Sequence, residues 1–446
     1  MLRALLLAAL LSAAALTAHR LVHGGRTGPT PLAAYYATWT ASAALAVWNP
    51  LEFVPVGRDT WDAALLAAGA VTAGYALALV ATRRAGRARG AVSADVLRRI
   101  VHLLLLLGVP LFALFVPVLL SLGLVDSPAT ALYRLRVGLA EGGAPSPGFY
   151  FFYCFQPLVP ASALLFRVTR QKRYAVIAAA AAACLLLTSG RTNATIAILW
   201  TAAALALARP PGTRRRRDTG AIVAAGVLTL VVFAVLGAAV GKTYENSHLA
   251  QRYGESPPVS RHLVLPVYYV TGPLPTLDQV MQTQGGADSY RNTLRPLLQV
   301  AEAAGAPVEA PPKIQPFYAV PGPFNLATYL SPLWRDGGLF GIALGAFLLG
   351  CTVGSAYGLW STRRTAPTLL LAALATTTSL ATALDASYNE LSVYFQVACI
   401  AAAALVVRSP GSRQGSRPPP AHSGQAGPDD GRLIASPVGR PTAWRG

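Results

Sequence analysis

Apolar stretches about 17 to 24 residues long recur along this chain, roughly at 3–19, 33–51, 62–82, 101–124, 148–166, 174–190, 192–208, 219–240, 338–360, 366–385 and 390–407. Runs of this length suit the hydrocarbon core of a bilayer, which takes about 20 helical residues to cross. They are rich in Ala and Leu and lack strict alternation. Helices, rather than the strands of a barrel, therefore satisfy the backbone within lipid. The pattern predicts an all-α polytopic membrane protein with about 11 transmembrane helices. One gap stands apart, at 241–337, and loops of that length inside a compact protein are usually functional. Within it LVLPVYYVTGPLPTLDQVM (263–281) has apolar spacing suited to short helices lying on the bilayer.

Charge sharpens this picture. A path through the membrane anchored on the arginine clusters puts 25 of the 37 Lys and Arg on one side, with only 4 of the 18 Asp and Glu. The other side carries 12 basic and 14 acidic residues. The positive-inside rule makes the first side cytoplasmic, with the N-terminus and the large loop outside and the C-terminus inside. A soluble nucleic-acid binder of this basicity would spread its charge over a polar surface, so the high pI is a consequence of topology and implies no nucleic-acid partner. Composition agrees, since 54% hydrophobic and 12% charged residues leave too little polar surface for a soluble globule of this size. The organisation expected is one transmembrane domain over 1–407 and a cytoplasmic tail over 408–446. That tail is rich in Pro, Gly and Ser without apolar periodicity, and its composition predicts disorder. The segment MLRALLLAALLSAAALTAHR also reads as a cleavable signal peptide, which would still leave the mature N-terminus outside.

Cys154, Cys184, Cys351 and Cys399 all fall in apolar runs, as small packed side chains do, and no disulfide framework is expected. No metal-ligand spacing is present, since His248 and His262 share a loop without a nearby Cys or paired His. There is no Walker-type glycine loop either, so an activated substrate would come from the membrane or from outside.

Charges at the membrane rim are the natural candidates for chemistry. Arg191 stands in LLLTSGRTNATIAIL between two spans of minimal length, where burial would be expensive unless an anion pairs with it. The competing reading is a solvated turn beside lipid head groups. Arg134 and Arg136 in YRLRVGLAEGG suit a phosphate clamp. Only an extended segment would put both on one side, and snorkelling at the interface also explains them. In FNLATYLSPLWRDGGLFGIALG (324–345), Arg335 and Asp336 precede glycines where the chain returns to the membrane. They read as helix cap and anchor, or as part of an anion site. Asp385, Tyr388, Asn389 and Glu390 form the turn between the last two spans, either as an ordinary solvated turn or as carboxylates that orient a sugar hydroxyl.

The order Phe324-Asn325, Thr328, Arg335-Asp336, Gly338 and Gly341 resembles the stretch after the large loop in oligosaccharide repeat-unit polymerases, the Wzy-type, O-antigen polymerase-like family. YYVTGPLP (268–275), the SGRTN turn (189–193) and the number of spans resemble that family too. The resemblance implies a GT-C-like, metal-independent glycosyltransferase without a cofactor. Its donor would be a growing glycan on polyprenyl pyrophosphate, its acceptor a lipid-linked repeat unit, and its partners the membrane lipids and a chain-length regulator. Arg191 matches the arginine of the family's short turn, and Arg335 with Asp336 match the pair where the chain returns. These three are the catalytic candidates. Arg134, Arg136, Arg261, Arg291 and Arg295 are placed as substrate-binding candidates by lying in the outside loops, joined by Asn325, Tyr388 and Glu390. A ligase using the same lipid carrier remains an alternative, as does a transporter or flippase. The chain shows no internal repeat and no paired broken helices, which weighs against transport.

Overall fold

The computed structural model describes residues 30–84, 92–141, 146–188, 191–208, 237, 243–285, 290–312, 316–385 and 390–406. The expected spans at 3–19 and 219–240 lie outside the described residues, apart from position 237. So do the tail and Tyr388. Among the described residues the architecture is helical. In chain order it runs α1 (Pro31–Trp48), α2 (Arg58–Arg84), α3 (Ala94–Ser121), α4 (Pro128–Glu141), α5 (Phe152–Thr169, led in by a 3-10 turn at Pro147–Phe151), α6 (Lys172–Leu186) and α7 (Arg191–Leu207). The large loop supplies α8 (His248–Tyr253), α9 (Arg261–Thr271), α10 (Pro273–Thr283) and α11 (Arg295–Ala303). After it come α12 (Leu330–Arg363), α13 (Ala366–Ala381) and α14 (Leu391–Val406). A two-residue strand pair, β1 (Tyr318–Ala319) with β2 (Pro323–Phe324), is antiparallel.

Arg58–Arg84, Ala94–Ser121, Pro147–Thr169 and Leu330–Arg363 are long and apolar enough to cross a membrane, the mark of a multi-pass membrane protein. Five shorter helices (α1, α6, α7, α13 and α14) coincide with further expected spans. The ends of these elements follow local chemistry. Thr30 caps α1 by accepting from Ala33 N at 3.2 Å, and Ser93 caps α3 through Val96 N. Thr365 and Thr368 form a reciprocal box at the start of α13.

Two apolar cores hold the helices together. One gathers α3, α5, α6, α7 and α13 around Trp200, Phe151 and Phe155. The other packs α1, α2, α10 and α12 around Tyr35, Tyr75 and Tyr329. Helix α13 feeds both, with Leu369 to Leu374 on the first and Ala375 on the second. A third, smaller core lies under the large loop, where Leu51 and Phe53 meet Tyr244, Leu249, Val264, Tyr268, Val320 and Phe324.

Helices α2 and α12 lie closest. A Cβ on Gly74 would sit 2.2 Å from the Phe347 carbonyl oxygen, and one on Gly350 would sit 2.2 Å from that of Val71. Lipid supplies no hydrophobic force between helices, so close backbone approach through small residues is what binds such a pair. Because both clashes meet backbone, nothing flexible can yield. Gly74→Ala should therefore cost about 1–3 kcal/mol, the usual range for overpacking. A lowered thermal midpoint in detergent checks this, whereas Gly69→Ala, with open space around it, should be neutral.

Candidate functional site

Three groups of buried polar residues lie near the starts of α5, α7, α12 and α14. The first is built on a break in α12. Gly338 has φ 58 and ψ −142, a conformation open to glycine and strained for other residues. The break ends a seven-residue segment, Leu330–Asp336, before the long part of the helix. On that segment Trp334 donates its indole N–H to the Gln284 carbonyl at 2.8 Å. Asp336, 5% exposed, accepts from Asn292 N at 3.0 Å and Asn292 Nδ2 at 2.9 Å on Oδ1, and from Thr293 N at 2.6 Å on Oδ2. The two side chains thus pin the loop on either side of 286–289 to the helix. Arg335 is 7% exposed beside them. The sequence offered Asp336 as a cap for its own helix. Among the described residues its acceptors instead serve the loop.

Two residues beyond that clamp, Arg295 opens α11 and donates from Nη2 to Glu390 Oε1 at 3.0 Å. The arginine side chain is 9% exposed and the glutamate 28%. This pair joins the large loop to the start of α14. Tyr153, near the start of α5, lies in electrostatic range of both charges, and its ring packs 5.5 Å from that of Phe395.

One turn below Tyr153 begins the third group, a chain of amides inside apolar helices. Gln396 Nε2 donates to Gln156 Oε1. Gln156 Nε2 donates to Asn193 Oδ1 at 3.0 Å, and Asn193 Nδ2 to Thr188 Oγ1 at 3.0 Å. The Thr188 hydroxyl in turn donates to the Leu185 carbonyl at 2.8 Å. Gln156, Gln396 and Thr188 are each 1% exposed. The chain therefore reaches both sides of the turn that carries Arg191, which is the first residue of α7.

The remaining candidates are spread out. Arg134 is exposed and donates to the Leu122 carbonyl at 3.4 Å, and Arg136 is half-buried. Both lie on α4, a helix rather than an extended segment, so they diverge and form no clamp. Helix α4 is held instead by Ala131, Leu132 and Leu135 on its buried side. Arg261 bonds to the Glu255 carbonyl at 2.7 Å, and Arg291 to that of Glu309 at 2.7 Å, so each braces its own loop. Asn325 is half-buried after β2. Nearby, Tyr329 N donates to the Thr382 carbonyl at 3.0 Å, while Trp39 Nε1 reaches Thr382 Oγ1 at 3.1 Å and Tyr35 and Tyr329 pair hydroxyls at 3.2 Å.

Several structural polar residues escaped the sequence reading. Asp278 on α10 is 4% exposed and accepts from Gly57 N at 2.9 Å, Thr60 Oγ1 at 2.6 Å and Gln282 Nε2 at 2.6 Å. It anchors the loop to the start of α2. The one signal for Gln156 and Gln396 is a glutamine inside an otherwise apolar run, where an amide must find a partner across helices. Within the loop core, burial pushes the His248 imidazole below its ordinary value as it packs edge-on against Tyr268 at 5.2 Å.

Compared with protein-family models, curated proteins and solved structures, the chain matches none. The architecture by itself defines, among the described residues, a helical protein whose long apolar helices are those of a multi-pass membrane protein.

Proposed function

We propose that this chain is a membrane glycosyltransferase that polymerises polyprenyl-pyrophosphate-linked oligosaccharide repeat units on the outer face of the plasma membrane. The observation that supports this reading is where three arginines stand: Arg191 opens α7, Arg295 meets Glu390 at the start of α14, and Arg335 lies in the opening segment of α12. Those starts are the helix ends which charge sorting assigns to the outside. Guanidinium groups at a low-dielectric rim are suited to a pyrophosphate, because their planar fork donates two parallel bonds. In the reaction, the acceptor hydroxyl oxygen bonds to the anomeric carbon of the growing glycan. The bond from that carbon to the pyrophosphate oxygen breaks, and the hydroxyl proton is released. Charge grows on the leaving pyrophosphate, and arginines already in place stabilise it without reorganising. Glu390, paired with Arg295, is a carboxylate that can accept a hydrogen bond from the attacking hydroxyl.

Two experiments test the reading. In cells lacking the chain, lipid-linked single repeat units should accumulate while long glycan disappears, and an unchanged length distribution would refute it. Finished glycan stranded on its lipid would indicate a ligase instead. For topology, cysteines introduced at positions 90 and 213 should resist a membrane-impermeant thiol reagent in intact cells, and those at 140 and 288 should label. Labelling at 213 would overturn the assigned path.

A further inference from the structure

We infer that the buried amide chain Gln396–Gln156–Asn193–Thr188 is a positioning device that sets the place of Arg191 relative to α5 and α14. The inference rests on the proposed role of Arg191 as a pyrophosphate ligand. Its geometric part stands on the structure alone. Thr188 precedes Arg191 by three residues and Asn193 follows it by two, and the 3.0 Å bond between them ties the end of α6 to the first turn of α7. Asn193 is then tied by Gln156 to α5 and, through Gln396, to α14. Helix α14 begins beside Glu390, which holds Arg295 at 3.0 Å. One helix thereby registers two arginines that come from segments about a hundred residues apart. An apolar core would pack these helices as well, and replacing a buried polar network by hydrophobic residues is often neutral for stability. What the amides add is direction, because each bond fixes a distance and an angle that greasy packing leaves loose.

That contrast supplies the test. Gln156→Leu alone orphans the amides on both sides, so it should lower the thermal midpoint of the purified protein. The triple variant Gln156→Leu, Gln396→Leu, Asn193→Val removes all three amides, leaves Thr188 on the Leu185 carbonyl, and should recover most of that loss. Two readouts then separate position from packing. Alkylation of a cysteine introduced at 190 should be about tenfold faster in the triple variant than in the parent, the size of coupling that contacting residues show. Affinity for undecaprenyl pyrophosphate in detergent should fall as far as in Arg191→Ala, and combining the triple variant with Arg191→Ala should lower it no further. Thr188→Val keeps the shape of the site and removes the last acceptor of the chain together with the hydroxyl's bond to the Leu185 carbonyl. It should shift both readouts the same way by a smaller factor, and it serves if the triple variant does not fold. Unchanged alkylation at 190 in a folded triple variant, or in Thr188→Val, would overturn the positioning role. If alkylation rises but Arg191→Ala binds the pyrophosphate normally, the turn is positioned as inferred and the ligand assigned to Arg191 is wrong.

Discussion

Replacing Arg191 by alanine should remove most polymer from cells while the protein still reaches the membrane in normal amount. The expectation follows from where the residue stands. It opens α7, two residues before Asn193 of a buried amide network. A charge kept at such a rim is costly unless an anion meets it. Arg191→Lys keeps the charge but exchanges a planar fork for a single rotating point, so it should retain only part of the polymer. A solvated turn would tolerate both substitutions. Polymer length and membrane abundance, measured together on both variants, separate the two cases. Normal ladders from the alanine variant would move the search to Arg335 and Arg295.

The second large effect is expected at Asp336, and its cause is the loop rather than the reaction. The carboxylate accepts three hydrogen bonds from Asn292 and Thr293, two of them from backbone N–H groups. Asp336→Ala leaves those donors without their acceptor, at a cost on the order of 3 kcal/mol for bonds to a charged group. Asp336→Asn is no milder. Its new NH2 group must face one of the backbone N–H donors, so one bond becomes a repulsion. Both variants should release the segment leading into α11 and with it Arg295. Limited proteolysis between 284 and 295 should therefore speed up, with polymer lost in parallel. Wild-type protease resistance in Asp336→Asn would show that the clamp is dispensable.

Much of the membrane architecture was legible because lipid permits so few solutions. A run such as 62–82 or 101–124 has no stable alternative to a helix; the first lies within Arg58–Arg84, and the helix Ala94–Ser121 covers all but the last three residues of the second. The apolar pattern places the return to the membrane at 338, yet α12 begins at Leu330. Trp334, Arg335 and Asp336 look like loop by composition. Tertiary bonds to Gln284, Asn292 and Thr293 draw them into a short helical segment that the glycine pair then breaks. Arg134 and Arg136 failed as a pair for the opposite reason, since local helix formation in α4 won over the extended form they would need. Within the site, sequence could rank arginines by loop but not by neighbour. The bond from Arg295 to Glu390 spans 95 positions, and that from Gln396 to Gln156 spans 240. Nothing in local periodicity encodes such distances. Asp278, which holds Gly57 and Thr60 at the start of a helix more than two hundred residues earlier in the chain, was hidden in the same way.

The most direct measurement uses the purified protein in detergent or nanodiscs with a single polyprenyl-pyrophosphate-linked oligosaccharide and no other protein. Wild type should convert it into a ladder of lipid-linked products spaced by one repeat unit, releasing one polyprenyl pyrophosphate per step, and Arg191→Ala should leave the starting material intact. A lipid-linked substrate that stays a single unit with folded wild-type protein, or glycan delivered only to an acceptor that is not polyprenyl-linked, would contradict polymerisation.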